Sequence, residues 1–250
     1  MNHKNFNQKI IFYFVSALLF AFNSSAYSIA FEDTVSNYVI KIITDKKGKQ
    51  FLVQELSGRK VYSKQFINPS VYFYDLDGDN FDEGVIVDSI PNLSSYNYSL
   101  YVYSFKPKFE FCDSLNIGIN MPEFYDLNSD MGYFIKVYDN RFENIFSSSL
   151  KILPIQFYSL TDKTLLLDNE FCYEEYESEL DNLLNLLDEA KRGFDCNDLE
   201  SKKNIQKIIA VIYANLIYMD YHLAIENFVK QNYSCSDIDT FLEVLKEFFK

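Results

Sequence analysis

The sequence predicts an α+β protein in which an N-terminal antiparallel β-sheet region is followed by a C-terminal three-helix unit. Short segments rich in β-branched and aromatic residues, separated by turn signals, occupy residues 31 to about 168. From about Glu170 onwards the apolar residues recur with a helical period. We therefore expect a β-rich domain over residues 27–168, of sandwich, meander or partial propeller type, and an α-helical region over 169–250.

The first 26 residues have the layout of a secretory signal peptide. Lys4 and Lys9 precede a 13-residue apolar run, and small residues follow before Ala26. The alternative is an uncleaved membrane anchor, but a helix that spans a bilayer needs about 20 apolar residues. We expect cleavage after Ala26 or Ser28, no membrane span in the mature chain, and a periplasmic or secreted location. The Asn, Lys, Ile and Tyr content suggests a bacterial source with an AT-rich genome.

The mature chain is acidic and nearly free of histidine. The formal net charge of −13 becomes −15 once Lys4 and Lys9 are removed with the leader. Such a charge excludes nucleic-acid binding through a general basic field, and it suits cations, basic partners or solubility alone. His3 is also removed, which leaves His222 and excludes multi-histidine zinc sites. We predict no catalytic residue, and a structural role for His222 within the second helix.

The β region contains eight predicted strands. Residues 45–49 form the turn of a first hairpin, and residues 57–59 form a second turn. The aromatic and β-branched content of 98–105 is typical of a sheet surface. The predicted strands cover residues 38–43, 51–56, 61–66, 71–74, 85–87, 98–105, 133–137 and 152–157.

Three helices are predicted after Glu170. The first ends near Gly193 and carries an apolar stripe of Tyr176, Leu180, Leu183, Leu184 and Leu187. The second runs from about Asp198 towards Lys230, and it is apolar on all sides between Ile208 and Met219, as a buried helix is. The third starts at Ser236, has Asp239 in capping-box position, and buries Phe241, Leu242, Leu245, Phe248 and Phe249.

The four cysteines all lie in the mature chain, and an even number in an oxidising compartment favours two disulfides. The first helix separates Cys172 from Cys196 by about 28 Å, whereas a disulfide requires Cα atoms within about 7 Å. The second helix separates Cys196 from Cys235 by more. The pairing Cys112–Cys196 with Cys172–Cys235 avoids both conflicts, provided that the second helix is not broken near Asp220.

Residues 75–83 place carboxylates at alternating positions between two predicted strands. Asp75, Asp77 and Asp79 stand at positions 1, 3 and 5, and Glu83 stands at position 9. Ca²⁺ prefers six to eight oxygen ligands, and the backbone carbonyl of Phe81 at position 7 would add one. Three interpretations are open: a structural Ca²⁺ site, a solvated acidic turn, and a catalytic metal, which would need an open coordination position and a nearby base.

The loop is not an EF-hand, because Asn80 and Ile86 occupy positions 6 and 12 of that motif. Residues 71–90 instead resemble the calcium loop of FG-GAP and VCBS-type repeats, which occur in integrin-like β-propellers and in secreted bacterial proteins. The resemblance implies that Asp75, Asp77, Asp79 and Glu83 are side-chain ligands and that Phe81 is a carbonyl ligand. The loop departs from the family pattern at Asn80, where Gly is commoner, and at Gly84, where an apolar strand usually begins.

A degenerate second copy of the motif covers residues 122–138. Glu123–Asp130 resembles Tyr72–Asp79 at an offset of 51 residues, which is near the period of propeller blades. Its position 9 is Phe134 rather than an acid, so we expect weak or no metal binding there. Coincidence in a chain rich in Asp and Tyr is the alternative.

Together these features predict a secreted or periplasmic calcium-binding protein that acts without catalysis as a protein- or glycan-interaction module. Tyrosines of the segment 94–99 suit such contacts, although strand propensity alone favours ordinary sheet packing for them. The alternative is an extracytoplasmic inhibitor or immunity protein against a cell-wall hydrolase or other basic enzyme. A hydrolase is disfavoured because the mature chain has one histidine and no nucleophile motif.

Overall fold

The chain folds into β-sheets followed by helices. A computed structural model describes residues 28–46, 48–93, 95–128, 131–222 and 225–249. Over these ranges twelve strands form three four-stranded sheets, and four α-helices follow. The α+β class and the order of its two parts are therefore confirmed. The predicted signal peptide, residues 1–26, lies outside the described residues.

The described residues divide into two compact units, with the boundary between Pro69 and Ser70. The boundary predicted between residues 168 and 169 instead marks the change from strand to helix, since the last strand ends at Leu167 and the first helix begins at Tyr173. Strands and helices of the second unit share an apolar cluster, so this change does not separate two compact bodies.

The first sheet is an antiparallel meander in which each strand pairs with the next in sequence. Ile40 and Ile42 on one central strand and Phe51 and Val53 on the other are buried, as the two-residue period of a strand requires. The strands are β1 (Ser28–Val35), β2 (Tyr38–Asp45), β3 (Gly48–Glu55) and β4 (Lys60–Phe66).

Two further meanders form the β part of the second unit. The second sheet contains β5 (Pro69–Tyr74), β6 (Glu83–Pro91), β7 (Tyr96–Ser104) and β8 (Glu110–Gly118). The third sheet contains β9 (Glu123–Asn128), β10 (Gly132–Tyr138), β11 (Ile155–Thr161) and β12 (Thr164–Leu167). Four of the twelve strands, β1, β8, β9 and β12, are absent from the sequence-based prediction. The predicted strand at 152–157 begins at Ile155.

The third sheet has a layer against each of its faces. Ile135 and Val137 of β10 belong to an apolar cluster shared with the second sheet. Phe134 points to the opposite face, because successive side chains of a strand alternate, and it shares a cluster with Tyr176 and Met219 of the helical part. The second unit is thus built as sheet, sheet and helices.

The helical part contains four helices rather than the predicted three, namely α1 (Tyr173–Lys191), α2 (Leu199–Tyr218), α3 (Ile225–Asn232) and α4 (Ile238–Phe248). Helix α2 is buried on every side from Ile205 to Asn215, which confirms the predicted buried helix. No helix in the described part of the chain is long and apolar enough to cross a membrane.

Two details of the predicted helices are wrong. On α1, Tyr176, Leu183 and Leu187 are buried as expected, but Leu184 is 39% exposed and lies outside the buried stripe. Helix α4 begins at Ile238 and has no side-chain capping bond, so the capping box predicted from Ser236 does not form. The burial predicted for its core residues holds for Phe241, Leu242 and Leu245, whereas Phe248 and Phe249 are partly buried.

The long second helix is broken at Tyr218, and the break overturns the predicted disulfides. Asp220 adopts a left-handed conformation with φ 63°, and the N–H groups of Tyr221 and Asp220 donate to the carbonyls of Leu216 and Ile217. These two bonds form a Schellman motif, in which Asp takes the place usually held by Gly. The chain therefore leaves the axis of α2 and returns as α3.

The observed disulfide joins Cys196 to Cys235, with Cα atoms 5.6 Å apart, so the predicted pairing Cys112–Cys196 with Cys172–Cys235 is wrong. Cys112 and Cys172 are free. The predicted place of His222 within the second helix is also wrong, because His222 lies beyond the end of α2, where its Nε2 is 2.8 Å from Asp220 Oδ1.

Candidate functional site

The acidic loop connects β5 to β6 and is organised around one carboxylate. Asp75 accepts hydrogen bonds from the backbone N–H groups of Gly78, Asp79 and Asn80, at 2.8, 3.1 and 2.9 Å. This curl needs left-handed backbone at two positions, where Gly78 has φ 75° and Asn80 has φ 64°. Asn80 can adopt this conformation because its side chain is short and polar.

Three carboxylates meet at the base of this loop. Oxygen atoms of Asp75, Asp77 and Glu83 lie within 4.8 Å of one another, and in the described residues they form the one group of this kind. Glu83 is 3% exposed, and its Oε2 accepts the backbone N–H of Leu76 at 3.1 Å. A set of carboxylate oxygens that includes a buried one fits a hard divalent cation such as Ca²⁺.

Burial and mutual repulsion change the acidity of these groups. Burial, together with the charges of Asp77, Asp79 and Asp75, raises the pKa of Glu83 from 4.5 to about 8. Burial and the carboxylates of Asp79 and Asp75 also raise the pKa of Asp77. A bound cation would replace the proton that Glu83 otherwise retains, because an opposite charge within a few ångströms favours the ionised form.

The remaining two predicted ligands lie in the same loop but outside this group. The Asp79 side chain accepts the backbone N–H of Phe81 at 2.8 Å. The Phe81 ring is 46% exposed and has the ammonium group of Lys106 over its face. Ligation by the Asp79 carboxylate and by the Phe81 carbonyl therefore stays a prediction.

The loop is held against the third sheet at the turn between β9 and β10. The backbone N–H of Tyr133 donates to the carbonyl of Asp75 at 2.7 Å. Gly132 has φ 77°, and a Cβ atom there would lie 2.8 Å from the backbone nitrogen of Gly78 and 2.9 Å from the Asp75 oxygen. A side chain at position 132 would therefore displace the loop.

The turn that makes this contact lies within residues 122–138, the predicted second copy of the motif. Like residues 75–83, its turn joins the first two strands of a four-stranded meander. Asp126 lies in β9, paired with Tyr133, whereas Ser129 and Asp130 lie outside the described residues. The repeat relation between the two stretches stays a prediction, and nothing in the sequence indicated that one turn contacts the other.

Gly84, the second departure from the repeat pattern, is explained by packing. An added Cβ would lie 2.9 Å from a ring carbon of Phe105, which covers this end of β6. The position therefore excludes larger side chains because the backbone and an aromatic ring approach closely.

The two free cysteines lack the acidity of reactive thiols. Burial raises the pKa of Cys112 to about 11 and that of Cys172 to about 12. Both are thus protonated at neutral pH, whereas a nucleophilic cysteine reacts as the thiolate.

No family model, no curated protein and no solved structure matches this chain. The resemblance to FG-GAP and VCBS-type calcium loops therefore depends on the residues of the loop themselves.

Proposed function

We propose that the protein binds one Ca²⁺ ion in the loop 75–83 and acts, without catalysis, as an extracytoplasmic interaction module for a protein or glycan. The observation that carries the metal proposal is the convergence of Asp75, Asp77 and Glu83 within 4.8 Å, with Glu83 buried. A buried carboxylate is stable as an anion only when a cation or several hydrogen bonds compensate its charge.

The role proposed for the ion is structural. The loop belongs to the connection between two strands of the second sheet, and its Asp75 carbonyl accepts a hydrogen bond from the third sheet. Drawing the carboxylates together would hold this loop in the conformation that makes the contact. Calcium suits a flexible loop of mixed carboxylate and carbonyl ligands better than Mg²⁺, which requires near-ideal octahedral geometry.

Two features support the interaction role. Tyr96 is 49% exposed, whereas Tyr98 is partly buried against the core between the sheets, so Tyr96 is the tyrosine available for contact. Leu93, three residues before Tyr96 in the sequence, is fully exposed. The acidic net charge adds a preference for a basic or neutral partner.

The extracytoplasmic location follows from the predicted leader, and the disulfide Cys196–Cys235 is of the kind found in oxidising compartments. Fractionation of the native cell, with N-terminal sequencing of the mature protein, tests it. Recovery of the uncleaved chain from the cytoplasm would contradict this part of the proposal.

The proposed Ca²⁺ site is tested by thermal unfolding of the purified protein in EGTA, in Ca²⁺ and in Mg²⁺. Saturation at about 100 times the dissociation constant stabilises the folded state by about 2.7 kcal/mol, which raises Tm by about 5–10 °C. Asp77→Ala should abolish the shift, and Asp82→Ala should retain it, because Asp82 is exposed and outside the three-carboxylate group. A Tm that responds to neither Ca²⁺ nor EGTA would refute the site.

A further inference from the structure

A cavity of about 410 Å³ lies between the second and third sheets, away from the acidic loop. It is bounded by β8 on one side and by β10 and β11 on the other, and the 3₁₀ turn Asn140–Phe142 follows β10 at its edge. The volume falls within the range of about 300–1,000 Å³ typical of small-molecule pockets. Its apolar lining consists of Leu115, Ile117, Val137 and Leu167.

Gln156 is a polar residue on the face of the third sheet that packs against the second sheet. It stands directly opposite Val137 in the register of β10 and β11, on the face whose other members, Ile135 and Leu160, form the core between the sheets. Gln156 is 8% exposed and lines the cavity, and its side-chain amide makes no hydrogen bond to another described residue. Asn140 also lines the cavity, and its buried Oδ1 has no hydrogen-bond partner among the described residues. A buried oxygen without a partner is unfavourable, so a ligand that donates to Asn140 Oδ1 and also bonds to the Gln156 amide would be favoured.

Tyr158, two residues further along β11, lines the same cavity. Its ring is half-buried, and the charges of Asp139 and Arg141 act on its hydroxyl. The cavity therefore offers an amide and a phenol, each able to donate and to accept, beside apolar side chains and an aromatic face.

The charged groups of the cavity compensate each other. Asp139, 4% exposed, accepts from Nε of Arg141 at 2.9 Å and from its Nη2 at 2.7 Å. The hydroxyl of Tyr218, at the end of α2, donates to Asp139 and accepts from Arg141 Nη2 at 2.9 Å. The cavity therefore has little net charge, although the chain as a whole is strongly acidic.

From these contacts we infer that the cavity binds a neutral, hydroxyl-rich ligand, a monosaccharide or disaccharide. Hydroxyl groups of a sugar can both donate to and accept from the free amide of Gln156 and the phenol of Tyr158. The C–H face of a sugar ring can pack on the apolar lining. An anion would compete with Asp139 for Arg141, and a purely apolar ligand would leave Gln156 unpaired.

In naming a saccharide, the inference rests on the interaction role proposed above, but it uses no residue of the calcium loop. The test is saturation-transfer-difference NMR on the purified protein with glucose, galactose, N-acetylglucosamine, maltose and cellobiose at millimolar concentration, followed by calorimetric titration of the sugar that binds. We expect at least one of them to bind.

Two variants locate the binding. Gln156→Leu should weaken it about tenfold and Tyr158→Phe by about two- to tenfold, as expected for lost hydrogen bonds. Because Leu suits an apolar core position, Gln156→Leu should keep or raise Tm, which separates a ligand contact from a structural one. Tyr133→Phe on the same sheet, outside the cavity lining, is the matched control and should leave affinity unchanged.

Three results would overturn the inference: no sugar of the panel binds, binding survives Gln156→Leu unchanged, or citrate or phosphate binds in a Gln156-dependent manner and the sugars do not. The two proposals fail separately. Sugar binding without a Ca²⁺ effect on Tm would contradict only the metal site, and a Ca²⁺ effect without sugar binding would contradict only the cavity.

Discussion

Replacing Glu83 by Gln separates the metal site from an ordinary acidic turn. In the metal-free fold the pKa of Glu83 is raised from 4.5 to about 8, chiefly by burial. The folded state therefore keeps a proton that the unfolded chain releases between these two pH values. The contribution of Glu83 to stability is present below pH 4.5 and is lost progressively as pH rises towards 8.

The size of this loss follows from the two pKa values. At about 1.36 kcal/mol per pH unit, ionisation of Glu83 in the unfolded chain lowers the free energy of unfolding by about 3 kcal/mol at pH 7, and the loss reaches about 5 kcal/mol well above pH 8. Gln carries no titratable group, and its carbonyl can still accept the N–H of Leu76. Metal-free Glu83→Gln should therefore exceed the metal-free native protein by about 3 kcal/mol at pH 7.

Ca²⁺ should reduce the difference in the free energy of unfolding between Glu83→Gln and the native protein. The native protein gains about 2.7 kcal/mol at 100 times the dissociation constant, whereas Glu83→Gln, with one ligand charge removed, gains less. Urea unfolding in EGTA and in Ca²⁺ between pH 5 and 8 measures both quantities, and Asp82→Asn is the control for loss of an exposed charge. Equal stability of Glu83→Gln and the native protein in EGTA, with equal gains from Ca²⁺, would refute the reasoning.

Three further predictions concern other contacts of the fold. Gly132→Ala should weaken Ca²⁺ binding by about tenfold because the added Cβ meets the loop backbone. Gly58→Ala is the control, since the φ of Gly58 is also positive but its surroundings are open. Calorimetry measures the Ca²⁺ affinity of each variant, and equal affinities of Gly132→Ala and the native protein would contradict a role for the Gly132 contact. Cys196→Ser, which opens the 39-residue loop to Cys235, should lower the free energy of unfolding by about 4 kcal/mol. Non-reducing peptide maps that join Cys196 elsewhere would contradict the pairing. Burial lowers the pKa of Lys207 from 10.5 to about 8, so its charge destabilises the fold below pH 8 and ceases to do so as pH rises to 10.5. Lys207→Met should therefore be about 2 kcal/mol more stable than the native protein at pH 7, a figure that allows for the lost hydrogen bond from Lys207 to a backbone carbonyl. Urea unfolding that shows no gain at pH 7 would count against this.

Local patterns predicted the parts of the fold that depend on neighbours along the chain. The buried faces of α1 and α2 follow from side chains three and four residues apart, and Tyr176 and Leu183 lie where that period places them. The left-handed backbone at Gly78 and Asn80 follows equally from local chemistry.

The strands missing from the prediction have weak local signals. Strand β8 contains Asp113 and Asn116, which are uncommon in strands, and only Ile117 along it is buried. Its place is secured from outside the strand, since Asp113 accepts the backbone N–H of Leu165 on β12. Pairing partners of this kind are remote in sequence, so propensity alone misses them.

The prediction of the disulfide pairing was wrong for a related reason. Continuous apolar character from α2 onwards predicts one long helix, yet two hydrogen bonds and one left-handed residue at Asp220 end it at Tyr218. Because Asp is a less regular helix terminator than Gly, the stop signal is weak in the sequence. That single reversal brings Cys235 back to Cys196.

The sequence by itself determined the change from strands to helices, the buried second helix and the set of acids in the loop 75–83, because periodicity and residue type express these directly. Tertiary structure decided which acids converge, what the loop contacts and where a cavity forms. Asp75, Asp77 and Glu83 meet because the chain curls. Gly132 contacts a loop more than fifty residues earlier in the sequence, and Gln156 lines a cavity whose opposite wall belongs to another sheet. Contacts of that range depend on packing, which no local pattern encodes.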